Sequence, residues 1–228
     1  MRKYRFSIGV FLLLLLFNGT ILANSNTNDV TPRKEQITFI NLPDDWNYDS
    51  LIPILENGEM NIVYSNNDGS FKQTTVVCLV DVPIAKVWPN VVDFDNYPKY
   101  MPKLAALKLL KHDGLDYWFK GELDIPGPNL PFSIKAHFNP PSSVDFFGEQ
   151  LEGDSFPGGW RFDAYPVDNG KKTVIVCKAY IDVRKRSWIV RWTLNYDQTL
   201  GQPLNLGINS SVGTMWLTAI KKRSEAKK

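Results

Sequence analysis

The stretch that decides the fold is LNLGINSSVGTMWLTAIKKR, Leu204 to Arg223. Leu204, Ile208, Val212, Met215 or Trp216, and Ala219 recur at helical spacing and form one apolar stripe, and Lys221, Lys222 and Arg223 suit a helix C-terminus. No other segment promises a long amphipathic helix. From Leu107 onward the preceding chain is cut by turn sequences: His112-Asp113-Gly114, Pro126-Gly127-Pro128-Asn129, Asn139-Pro140-Pro141-Ser142, Gly153-Asp154 and Asp168-Asn169-Gly170. Strand-length pieces lie between the cuts. Tyr117 to Ile125, Phe132 to Phe138 and Thr173 to Val183 alternate most clearly, and Asn169-Gly170 between two such runs is a strong hairpin signal. Further upstream, Glu59 to Tyr64 and Phe71 to Val82 read as a hairpin. Pro83 to Val92 reads as a helix that Pro89 must shorten or kink. A meander of about six strands has one face to cover, and the terminal helix is what remains to cover it. The class is α+β, a curved antiparallel sheet gripping a C-terminal helix.

Composition limits the functional classes. The 228 residues are 43% hydrophobic and 22% charged, ordinary values for a globular protein. Lys and Arg number 26 against 24 Asp and Glu, so there is no global field to hold a polyanion, and composition gives nucleic-acid binding no support. Seven Trp, nine Tyr and thirteen Phe supply a large apolar surface for a core or a cavity.

The first segment reads as a targeting signal. Arg2, Lys3 and Arg5 carry charge, Phe6 to Phe17 is apolar apart from Ser7 and Gly9, and Asn18-Gly19-Thr20 precedes Ile21-Leu22-Ala23. That order is a secretory signal peptide's, and the apolar run is shorter than the roughly 20 residues a bilayer needs. Cleavage after Ala23 is expected, giving a signal peptide at 1–23, a polar leader at 24–57 that becomes ordered near Leu51 to Leu55, and one domain at 58–228. The mature protein is expected to be exported, periplasmic or secreted.

Catalytic constellations are thin. Two histidines, His112 and His137, are too few for a three-histidine metal centre, and the chain has neither a nucleophile elbow nor a phosphate-binding glycine loop. No metal or cofactor is expected. His137 alternates with the apolar set of its strand and should face solvent; His112 lies beside a turn. Asp93 and Asp95 read as helix-capping and turn residues rather than an acid/base pair. Arg184-Lys185-Arg186-Ser187-Trp188-Ile189-Val190-Arg191-Trp192 admits two readings: transient contact with a membrane surface through Trp188, Trp192 and their basic neighbours, or inward packing of the two rings. Asn209-Ser210-Ser211 matches a glycosylation sequon but falls inside the expected helix.

Two stretches carry a family likeness. Val82-Pro83-Ile84-Ala85-Lys86-Val87-Trp88, followed by Val92-Asp93-Phe94-Asp95-Asn96-Tyr97-Pro98-Lys99-Tyr100-Met101-Pro102, resembles the opening of START-like domains of the polyketide-cyclase and coenzyme-Q-binding branch. Gly159-Trp160-Arg161-Phe162 and the strand from Thr173 resemble their last two strands, so the likeness spans Gly58 to Lys222. It implies a helix-grip fold: seven strands wrapped on the C-terminal helix, with a cavity between for a lipid, isoprenoid or polyketide. Members include carriers and cyclases, so the fold does not fix the activity.

On that reading the ligand would meet the one-faced apolar sets. These are Tyr117, Phe119 and Leu123 on one strand, Phe132, Ile134 and Phe138 on the next, and Trp160 and Phe162 on the penultimate one, with Met101 from the opening motif. Leu204, Ile208, Val212 and Met215 would face them from the helix, and Gly207, Ser211 and Gly213 would thin that helix and leave space. A solid core would use the same residues. The expected function is an exported carrier of a hydrophobic small molecule such as a lipid, isoprenoid or quinone; the alternative is a cyclase or aromatase using the same cavity. The likeness also makes the strands of Cys78 and Cys177 antiparallel neighbours. A register placing the two directly opposite, with Val82 opposite Thr173, would permit a disulfide in an oxidising compartment.

Overall fold

A computed structural model describes residues 38–43, 45–124, 129–148, 158–181 and 198–226, with the backbone alone described at 130 and 198–205. The segments read as signal peptide (1–23) and basic–tryptophan cluster (184–192) lie outside the described residues.

A 3-10 turn, Tyr48–Leu51, leads into α1 (Ile52–Leu55), then β1 (Met60–Ser65), β2 (Phe71–Val80) and α2 (Ile84–Val91). A 3-10 turn at Phe94–Asn96 precedes α3 (Tyr97–Tyr100). The strands β3 (Leu104–Asp113), β4 (Asp116–Leu123), β5 (Leu130–Asn139), β6 (Ser143–Gly148), β7 (Gly158–Val167) and β8 (Lys172–Ile181) follow, then α4 (Gln198–Glu225). All eight strands form one antiparallel sheet in the order β1-β2-β8-β7-β6-β5-β4-β3. This is the expected α+β helix-grip arrangement with one strand more than the seven implied: β1 extends the sheet beyond β2 as an edge. Pro89 lies in the last turn of α2, which ends two residues later. The Asn169-Gly170 hairpin forms as expected, with Asp168, Asn169 and Gly170 all at positive φ, where glycine and asparagine are least strained.

The inner face of the sheet packs on α4, but by a different helical stripe. Asn209, Gly213, Trp216, Leu217, Ile220 and Ser224 are the buried positions, while Ile208, Val212, Met215 and Ala219 are only half-buried. The helix is turned by about one residue because three non-apolar positions belong inside. Asn209 completes the end of β8: its Oδ1 accepts from the Ile181 amide at 2.7 Å and its Nδ2 donates to the Ile181 carbonyl at 3.1 Å. Fully buried, it is no glycosylation acceptor. Gly213 serves close approach, because a Cβ there would lie 2.7 Å from Val76 Cγ2. Thinness at Gly213 thus closes the helix onto the sheet instead of opening space; Gly207 and Ser211 are exposed.

The outer face of β1, β2, β8 and β7 carries a second apolar core. Leu42 and Leu55 pack on Val77, Leu79, Val167, Val174 and Val176, with Trp46, Leu51 and Ile52 around them, and Tyr48 stacks on Tyr165 at 4.2 Å. Packing of the leader therefore begins by Leu42, ahead of Leu51, because β2 and β8 are apolar on both faces and need cover on both. Two hydrogen bonds fix this strap at Ile40, whose amide donates to Gln73 Oε1 and whose carbonyl accepts from Gln73 Nε2. A third joins the Asp168 amide to Asp49 Oδ1.

The cysteines correct the register expectation. Cys177 lies opposite Val76 and Cys78 opposite Ile175, two residues from the alignment that would place the thiols face to face. Strand β2 stops at Val80 because the chain turns toward Pro83, and the Thr173 hydroxyl donates to the Val82 carbonyl, so Thr173 pairs with Val80 instead of Val82. Diagonal neighbours have Cα atoms about 7–8 Å apart, too far for a disulfide. Both thiols are free and buried. Burial pushes Cys78 up to about 12 and raises Cys177 likewise, so thiolate is scarce in the folded protein. Alkylation at neutral pH should leave the folded protein unlabelled and add two labels to denatured, unreduced protein; no labels in the second case would show a bond.

Candidate functional site

Between the inner face and α4 lies an apolar cavity. Tyr97 and Met101 reach it from α3 and its C-cap, Leu104 and Leu107 from β3, and Leu123 from β4; Phe132 and Ile134 come from β5, Phe146 from β6, Trp160 from β7 and Trp216 from α4. Five of the expected contacts, Met101, Leu123, Phe132, Ile134 and Trp160, are thereby brought together. Tyr117, Phe119 and Phe138 instead surround Phe94, whose ring centroid lies 6.4, 5.0 and 5.6 Å from theirs, and fill the neighbouring space. Phe162 is buried against Trp216 outside the lining. Ile208, Val212 and Met215 sit off the buried stripe, and the Leu204 side chain lies outside the described residues.

The sequence reading missed Leu104, Leu107, Phe146 and Tyr97, and offered Trp216 only as an alternative. Simple alternation fails in β3 because two bulges, between Leu104 and Ala106 and between Leu109 and Lys111, bring Leu104, Leu107 and Leu109 to one face. Phe146 had a usable signal, since Val144 and Phe146 alternate in the short run between two turn sequences.

The cavity is small, about 20 Å³, room for roughly one water where binding pockets offer about 300–1,000 Å³. Aromatic rings do the filling. Phe146 stacks on Trp160 at 4.7 Å, and Trp216 meets Trp160 edge-on at 4.9 Å. Phe132 covers Gly121 across the β4–β5 ladder, where a Cβ would come within 2.4 Å of its ring.

Polar groups cluster around the cavity's helical wall. The Tyr97 hydroxyl donates to the Val91 carbonyl at 2.5 Å and the Tyr100 hydroxyl to the Asn90 carbonyl at 2.5 Å; burial raises both phenols, so both stay neutral. Arg223 of α4 lies over the Tyr100 ring at 4.1 Å and pairs with Asp93. Desolvation raises the Asp93 carboxyl, but hydrogen bonds from Asn96 and Arg223 outweigh it and hold Asp93 below its ordinary range. Asp93 is thus a clamp between the α2–α3 segment and the terminal helix, and makes no side-chain cap. His137 faces outward, half-exposed, with Nδ1 2.5 Å from Asp116 Oδ1; His112 is exposed and stacks on Tyr117 at 5.5 Å. Among the described residues no three His, Cys, Asp or Glu side chains converge as a metal site.

The family model described as polyketide cyclase / dehydrase and lipid transport matches residues 80–200, just over half of the chain. Among solved structures, the Zhui aromatase/cyclase from Streptomyces sp. R1128 is 14% identical, with 67% of this chain and 93% of that chain covered and a TM-score of 0.49. A STAR-related lipid transfer protein from Xanthomonas axonopodis is 14% identical over 74% of this chain and 94% of that one, also at 0.49. A conserved protein from Geobacillus kaustophilus is 15% identical over 67% and 94%, at 0.47. No curated protein matches the chain.

Proposed function

This chain belongs to the polyketide cyclase/dehydrase and lipid transport family, and from that premise we propose that it is an exported carrier of a hydrophobic small molecule, a lipid, isoprenoid or quinone, held between the sheet and α4. The observation that carries this reading is the wall itself: ten lining side chains with no carboxylate, imidazole, ammonium or guanidinium among them. Such a wall binds by burial, at about 25 cal/mol per Å² of apolar surface removed from water, and needs few polar contacts. Admission of a ligand requires the filling side chains to move, and Met101, unbranched with three rotatable side-chain bonds, is the most adaptable of the ten. A cyclase would need an acid or base in the wall. Tyr97 offers only a hydroxyl already given to Val91, on a phenol that burial keeps neutral.

Native mass spectrometry of the purified protein is expected to show a retained apolar ligand, and fluorescent fatty acid or isoprenoid should be taken up by protein stripped of it. Folded protein that retains nothing and takes up neither probe would overturn the carrier reading. Export has its own test: N-terminal sequencing of the mature protein should begin at Asn24. A membrane-embedded product retaining Met1 would make the first segment an anchor.

A further inference from the structure

We infer that Gly121 and Phe132 set how much ligand the cavity holds, Gly121 as a positioning residue and Phe132 as the floor on which the far end of the ligand rests. This rests on the carrier reading and assigns its size limit. Leu107, Gly121 and Phe132 stand opposite one another in the β3–β4–β5 register, and the first and third line the cavity. Between them, where the inward series Tyr117, Phe119, Gly121 and Leu123 passes the cavity, β4 contributes no side chain.

The missing side chain decides how Phe132 lies. Strand side chains ordinarily stand roughly perpendicular to the sheet, and directly opposed Cβ atoms are about 4.5–5.5 Å apart, so an upright ring would keep its tip at least that far from position 121. The tip is much closer: a Cβ on Gly121 would lie 2.4 Å from Phe132 Cζ and 2.8 Å from Cε1. Phe132 therefore reclines across the strand gap over the bare backbone of Gly121. A reclining ring leaves the space above it, toward α4, open. The same Cβ would also meet the Ala106 carbonyl oxygen of β3 at 3.0 Å, so a side chain at 121 would be held between backbone on one side and the ring on the other. Only the ring can yield, and it yields upward into a cavity of about 20 Å³ that it would fill.

Displacement of a fluorescent fatty acid by saturated fatty acids of increasing chain length reads the limit. Wild type should show a preferred length. Phe132→Leu and Phe132→Ala open the depression over Gly121 and should move the preference to longer chains, with about fourfold tighter binding for each methylene newly buried. Gly121→Ala should move it to shorter chains or abolish uptake, and Gly121→Ala/Phe132→Leu should restore uptake, because the smaller side chain leaves room for the added methyl group. A merely structural glycine would lower the melting temperature without moving the length preference, as Leu42→Ala in the outer-face core should. The Phe132 variants carry the test alone should Gly121→Ala not fold. An unchanged preference in those variants, or a folded Gly121→Ala protein that binds the series as wild type does, overturns the assignment. Folded wild type that takes up no chain length would strike the carrier reading, and this assignment with it.

Discussion

Asp163→Ala should cost about 3–5 kcal/mol of stability and lower the melting temperature by roughly 6–20 °C. Asp163 lies on the outer face of β7 yet is almost fully buried. Its Oδ2 sits 2.9 Å from Lys178 Nζ, and its Oδ1 accepts from Arg161 Nε at 2.8 Å and Ser143 Oγ at 2.7 Å. Arg161 continues the chain to Asp145 at 2.8 Å. Lys178, only 3% exposed, donates also to Asn41 Oδ1 of the strap at 2.8 Å. Removing the carboxylate strands that ammonium beside one neutral amide, and the cost is chiefly the desolvated charge left behind. The double variant Asp163→Leu/Lys178→Met removes both charges and should recover most of the loss, because a buried pair contributes little beyond an apolar replacement of similar shape. Urea unfolding of wild type, both singles and the double measures the coupling. A loss under about 1 kcal/mol for Asp163→Ala would mean that water or another group reaches Lys178.

Trp160→Ala should be comparably destabilising, about 3–5 kcal/mol, and should increase uptake of an apolar probe. The indole is stacked on Phe146 and meets Trp216 edge-on, so its removal forfeits two ring contacts as well as buried area. It also widens a cavity that now has room for about one water. Leu42→Ala, in the outer-face core, supplies the control: it loosens the protein without touching the cavity. Greater uptake in Trp160→Ala but not in Leu42→Ala would locate the ligand between sheet and α4. Equal uptake in both would attribute it to general loosening and remove the cavity from the account.

The Asp163–Lys178 pair illustrates how far local pattern reaches. Alternation in β8 places Lys178 opposite the face of Cys177 and Ala179, and the structure agrees; nothing in the strand reveals that this outer face is itself covered. The cover comes from residues about 130 positions away, in a leader whose polar composition hides three apolar anchors, Leu42, Trp46 and Leu55. Alternation likewise brought Phe132, Ile134 and Trp160 to one face, since period 2 is a property of the backbone. It could not distinguish residues that line the cavity from those packed round Phe94, because both use the same side chains on the same face.

Sequence by itself determined the architecture: turn chemistry at regular intervals, strands of period 2, one long terminal helix, and an opening motif whose family likeness the match over 80–200 supports. Those signals are local, carried by backbone preferences and by apolar spacing within single elements. Tertiary structure alone decided which helical face turns inward, where the cysteines fall in register, and how little space remains in the cavity. Each of these depends on a contact between distant segments. Asn209 closes the end of β8, Gly213 admits Val76, and Thr173 bonds to Val82 where β2 ends, and in all three a small or polar side chain takes a buried place that hydrophobicity would have given to a leucine.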